Sequence, residues 1–163
     1  MISFGELLRK RRGEGFKAPE RLLVLDPGHT TGWTLFVNGK IANHGQAATE
    51  RDGWECIDML FTDTQPTMVV YENYRVYAHK LERHSNSEVY TLRLVGVIEY
   101  LCDVKFGIPR YNQMAHQAKG FVTDEKLKAW GFYVPSMKHA RDAIRHACYF
   151  LLFDKNLEID HSK

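Results

Sequence analysis

"LVLDPGHTTGWTLF", residues 23–36, decides how the rest of the chain is read. Leu22 to Leu25 form an unbroken apolar run that stops on Asp26. Pro27-Gly28 then breaks the chain, and a second run of strand-forming residues follows. A carboxylate ending a buried strand must meet water, a donor or a cation, because an unpaired buried charge costs too much free energy to keep. Asp26 is therefore the first candidate functional residue; its duller reading is a turn residue ahead of Pro-Gly.

Outward from that stretch, strands are expected over residues 21–26, 31–37 and 40–48, the last two joined at Asn38-Gly39, a pair that tolerates the positive φ of a two-residue hairpin. "ERDGWECIDMLFTD" spaces Trp54, Ile57, Leu60 and Phe61 at helical intervals, and "TMVVYE" is a short β-branched run ending on Glu72. A helix between two strands implies a crossover and parallel pairing. Leu94, Val95, Val97, Ile98 and Leu101 predict a long helix over 87–104, capped by Ser85, Asn86 or Ser87 and followed by a short strand near 107–111. A helix over 124–130 is stopped by Gly131, and Ser136 is expected to cap a last helix over 137–153. Upstream, Ser3 and Glu6 fit a capping box for a helix over 4–12, after which "GEGFKAPE" reads as a connector. The order β-β-β-α-β-α-β-α-α defines an α/β layer fold.

A chain of 163 residues suits one domain with a full core. No stretch approaches the roughly 18 apolar residues needed to span a bilayer, so no membrane partner is expected, and the N-terminus places its charges after its apolar residues, unlike a secretory signal. Three cysteines without a C-x-x-C pair suggest neither a disulfide framework nor a zinc cluster, and reduced, intracellular thiols are the simplest reading. Net charge is only +2, but Arg9, Lys10, Arg11 and Arg12 are consecutive and Lys17 and Arg21 follow. That run is either a solvated tail or an arm that follows a polyanion. The expected division is a basic arm over 1–20 and a single domain over 21–163.

Three acids stand at element ends. Asp26 and Glu72 close strands that would be neighbours across the crossover. In "HARDAIRHA" His139, Asp142 and His146 share one helix face, while Ala140, Ala143 and Ala147 let that helix lie close to the sheet. Clustered carboxylates repel, and divalent ions relieve the repulsion; hard oxygen ligands with at most one imidazole favour Mg²⁺ or Mn²⁺ over zinc. A pair of such ions about 4 Å apart serves phosphodiester hydrolysis. Taken singly, Glu72 could be a solvated strand end and His139 a surface histidine.

With "LVLDPGHTTGWTLF", "MVVYEN" and "HARDAIRHA" in this order, the chain resembles the RuvC-type Holliday junction resolvases of the ribonuclease H-like nuclease superfamily, from about residue 21 to 153. The DPG-x-x-x-G opening and the H-x-x-D pair carry most of the likeness. The resemblance implies a mixed five-stranded sheet, antiparallel β1-β2-β3 and parallel β1-β4-β5, flanked by helices. It makes Asp26, Glu72 and Asp142 metal-binding carboxylates of the catalytic site, and His139 the fourth catalytic and metal position. Two Mg²⁺ or Mn²⁺ ions, a homodimer and four-way branched DNA in recombination and repair are implied with it, in the cytoplasm of a bacterial cell or phage-infected host. His146 has no counterpart and is left as a helix-face or phosphate-contacting residue.

Expected DNA contacts are Arg9, Lys10, Arg11 and Arg12 on the arm, Tyr74, Arg75, Tyr77, Lys80 and Arg83 in the loop after Glu72, and Lys119 before the last helix. The segment "NQMAHQAKGFVTDEKLKAWG" has fewer glycines than the family pattern there. Rival readings are a structure-selective or nonspecific nuclease acting on flaps, forks or RNA-DNA hybrids, a catalytically silent DNA-binding module, and a nucleotide-binding domain of the actin and sugar-kinase type. The last needs a second phosphate-binding lobe, for which this chain is too short.

Overall fold

A computed structural model describes residues 1–49, 53–74 and 86–157. The expected strands form: β1 spans Arg21–Asp26, β2 Thr30–Val37, β3 Lys40–Ala48 and β4 Met68–Glu72, with β5 at Arg110–Gln113. They lie in one sheet in the order β3-β2-β1-β4-β5. β2 runs antiparallel to both β1 and β3, whereas β4 is parallel to both β1 and β5. Asn38 and Gly39 turn the β2-β3 hairpin with φ of 49° and 79°, the left-handed pair that this two-residue loop requires.

The helices are α1 (Phe4–Arg12), α2 (Gly53–Thr64), α3 (Asn86–Tyr100), α4 (Ala115–Phe121), α5 (Asp124–Trp130) and α6 (Lys138–Phe153). α3 continues as a π-helical stretch over Leu101–Phe106, closed by Gly107 in the left-handed conformation at φ 62°. That closure moves β5 about two residues later than the sequence suggests. α4 has no counterpart in the sequence-based reading. The cap of α6 is also corrected: Met137, not Ser136, holds that position and provides no side-chain bond. The Arg141 guanidinium instead fastens the preceding chain, donating to the carbonyls of Val134 (2.6 Å) and Pro135 (2.8 Å).

Residues 1–20 do not stand apart from the core. The Ser3–Glu6 capping box forms as expected, and Phe4, 4% exposed, packs among the residues beneath α6. Arg12 donates to the carbonyls of Leu151 (2.8 Å) and Asp154 (2.7 Å) at the C-terminal end of α6, where the helix dipole favours a cation.

Strand alternation splits the interior into two cores. Leu22, Val24 and Val70 face α6, meeting Ile144, Ala147, Cys148 and Leu151. Leu23, Leu25, Val69 and Tyr71 face α2 and α3, meeting Ile57, Phe61, Leu94 and Ile98. The period of two then directs Asp26 and Glu72, each at the last position of its strand, to the α6 side. Opposite Asp26 in the β1-β2 register is Gly32, and a Cβ there would overlap the His139 carbonyl and crowd the Ala140 amide nitrogen. The second glycine of DPG-x-x-x-G therefore lets the first turn of α6 rest on the sheet beside Asp26.

Candidate active site

At the carboxyl ends of β1 and β4, α6 brings its first turns over Asp26 and Glu72. Asp26 is 8% exposed and Asp142 7%, both far below what surface carboxylates show. His139 Nδ1 lies 3.6 Å from Asp26 Oδ2. Lys119, from α4, spans the remaining pair, with Nζ 3.3 Å from Glu72 Oε2 and 3.6 Å from Asp142 Oδ2. Arg145, one turn beyond Asp142, approaches its Oδ1 at 3.3 Å, donates to the Val122 carbonyl at 2.6 Å and pairs with Asp124.

The electrostatics follow from crowding three carboxylates in a half-dry pocket. Burial pushes the Asp26 carboxyl above its usual range; the His139 and Lys119 contacts oppose this, and the charges of Glu72 and Asp142 add to it. Burial also acts to raise Glu72, but its hydrogen bond to His146 and the nearby Lys119 hold it below the ordinary carboxylate value. The hydrogen bond to Asp26 raises the His139 imidazole against the opposing effect of burial. Lys119 is raised as well: burial works to lower it, and the charges of Glu72, Asp142 and Asp26 prevail.

Among the described residues, no three His, Cys, Asp or Glu side chains are gathered closely enough to enclose an ion as they stand. The protein's own cations intervene: Lys119 bridges Glu72 and Asp142, while His139 leans on Asp26. The Lys119 ammonium between two carboxylates partly offsets the negative charge gathered there. Three hard carboxylates with one neighbouring imidazole are also the donor chemistry that suits Mg²⁺ or Mn²⁺. The residues therefore fit the divalent ions expected from the sequence.

Sequence reasoning missed two members of this site. His146, read from the sequence as a helix-face or phosphate-contacting residue, is fully buried, with Nε2 2.8 Å from Glu72 Oε2 and Nδ1 2.9 Å from Gln113 Oε1. Gln113, 3% exposed, ends β5 in register with Glu72. The i, i+4 spacing from Asp142 was the available signal for His146; Gln113 lay beyond the expected end of its strand.

The expected DNA contacts divide into three groups. Lys119 lies in the acid pocket, and Tyr74 is half-buried two residues beyond Glu72. Arg9, Lys10 and Arg11 are exposed on α1, with Arg11 also lying over the Phe153 ring at 4.3 Å, whereas Arg12 is engaged at the end of α6. Arg75, Tyr77, Lys80 and Arg83 lie outside the described residues.

The mixed five-stranded sheet in the order 3-2-1-4-5, flanked by helices, matches the fold of RuvC and ribonuclease H-like neighbours. Three solved structures share it with this chain. Thermus thermophilus RuvC in complex with a Holliday junction substrate superposes with a TM-score of 0.63 at 16% identity, covering 81% of this chain and 92% of that one. A second Thermus thermophilus RuvC structure gives 0.60 at 18% identity, covering 81% and 93%. The yeast mitochondrial Holliday junction resolvase Ydc2 gives 0.58 at 13% identity, covering 94% and 86%. No protein-family profile and no curated protein matches the chain by sequence.

Proposed function

We propose that this protein is a metal-dependent endonuclease that resolves four-way DNA junctions by paired, symmetrical phosphodiester hydrolysis. The observation that carries the proposal is the convergence of Asp26, Glu72 and Asp142 around Lys119 and His139 in one pocket at the sheet edge, within a fold shared with junction resolvases. Asp26, Glu72 and Asp142 would hold Mg²⁺ or Mn²⁺, two per site. The ions would supply Lewis-acid activation of water and neutralise charge on the departing 3′ oxygen. His139, its Nδ1 toward Asp26, orients the attacking water and takes up a proton at Nε2. Lys119, if displaced from the carboxylates by bound cations, would be free to meet the phosphate backbone, and the exposed Arg9, Lys10 and Arg11, near the far end of α6, would contact that backbone away from the site.

A four-way junction has approximate two-fold symmetry, so a C2 homodimer with one site per subunit completes the proposal. Val89, Leu92, Tyr100 and Val104, exposed along α3 and its continuation, support that helix as the interface. The setting proposed with it is the cytoplasm of a bacterial cell or phage-infected host.

The deciding experiment offers the protein a synthetic mobile junction and linear duplex of the same sequence, in Mg²⁺ and in Mn²⁺. Paired, symmetrical nicks in the junction alone are expected. Equal cutting of linear duplex would replace the resolvase with a nonspecific nuclease, and junction binding without cleavage would leave a silent DNA-binding module.

A further inference from the structure

His146 sits at 0% exposure in the middle of α6, flanked by Ile144, Ala147 and Cys148 of the apolar core. A ring with two polar nitrogens in such a place costs free energy unless both are satisfied, and here both are. Nε2 meets Glu72 Oε2 at 2.8 Å and Nδ1 meets the Gln113 side chain at 2.9 Å. A carboxylate only accepts, so the Nε2–H donates to Glu72. With Oε1 of Gln113 facing Nδ1, the amide nitrogen of Gln113 is left buried with no partner among the described residues; rotating the amide by half a turn brings its N–H onto Nδ1, which then accepts, and leaves the amide oxygen in that buried place instead. Either orientation leaves the bond to Glu72 intact.

We infer that His146 and Gln113 are positioning residues that fix the Glu72 carboxylate for cation binding, an inference that rests on the nuclease reading above. Glu72 is the last residue of β4, and Lys119, which reaches its Oε2 at 3.3 Å, is two-fifths exposed. The buried imidazole supplies the fixed point from within. Gln113 in turn holds the imidazole from the adjoining strand, where the Gln113 carbonyl also accepts the Asn73 amide at 2.8 Å. An apolar side chain at position 146 would suit the surrounding core better, so the polar pair stabilises one orientation of Glu72 at a cost in packing. Donors of this kind behind a carboxylate ligand typically contribute 10–100-fold in metal affinity or activity.

The test is direct Mn²⁺ binding to the full chain, read as loss of the free-ion paramagnetic resonance signal, for wild type, His146→Leu, Gln113→Leu and Asp26→Asn. The two leucine variants are expected to bind Mn²⁺ about 10–100-fold more weakly while keeping wild-type junction affinity in EDTA. Folded variants that bind Mn²⁺ as tightly as wild type overturn the inference. If Asp26→Asn also binds as wild type, the metal site itself fails, which separates the two claims. Should neither leucine variant fold, ¹⁵N resonances of the wild-type imidazoles decide: the His146 Nε2 signal should move on Mg²⁺ addition, and a stationary signal overturns the inference.

Discussion

The two faces of this sheet are built from the same strands and end differently. Toward α2 and α3, Leu23, Leu25, Val69 and Tyr71 carry the apolar surface to the strand ends. Toward α6, the alternate residues begin as Leu22, Val24 and Val70 and finish as Asp26 and Glu72, with Gln113 beside them. One residue of register separates a packing face from a polar pocket. A slip of one would bury both carboxylates against α2 and α3, so the hairpin at Asn38-Gly39 and the close approach at Gly32 serve function as well as stability.

Variants that treat the two faces separately sharpen the contrast. Asp26→Asn should lower junction cleavage by about 10³-fold or more, as removal of a catalytic-site acid typically does. The same variant should melt higher than wild type in EDTA, because burial and the charges of Glu72 and Asp142 make the ionised carboxylate unfavourable in the fold. On the opposite face, Phe61→Ala should cost about 3–5 kcal/mol of stability in chemical denaturation while leaving Mn²⁺ affinity unchanged in the folded fraction. Loss of ion binding there would show that the faces are not separable.

Gly32→Ala should cost about 1–3 kcal/mol, the usual penalty of an overpacked contact, and should also weaken Mn²⁺ binding, since α6 must move away from Asp26 to admit the methyl group. The smallest effect concerns pH. His139 holds its proton more tightly in the fold than out of it, so its contribution to stability is full below about 6.5 and is lost as pH rises through the higher folded value. In EDTA the melting temperature should decline slightly above that pH, and His139→Asn should flatten the decline.

The strands and the acids were legible because both are written in local pattern. A fully apolar β1 stopping on a charge, a β-branched β4 stopping on another, and an i, i+3 pair on an alanine-rich helix each carry their meaning within a dozen residues. What was hidden depended on distant contacts. α4 is one short helix containing Gly120, with little apolar periodicity; the Gln117 side chain accepts the Met114 amide at 2.8 Å to start it, and Ala118 is buried beneath it. β5 was displaced because nothing local announces a π-helical extension closed at Gly107. That displacement concealed Gln113, and with Gln113 unplaced His146 had no visible partner. Arg12 shows the converse: a basic run looks like an arm until one of its members is found holding the end of α6.

Anomalous diffraction from crystals soaked in Mn²⁺ tests the central claim most directly. The account predicts manganese peaks bounded by the carboxylates of Asp26, Glu72 and Asp142, with Lys119 withdrawn from them. Manganese scattered over other acidic side chains, with those three carboxylates still bridged by Lys119, would contradict it.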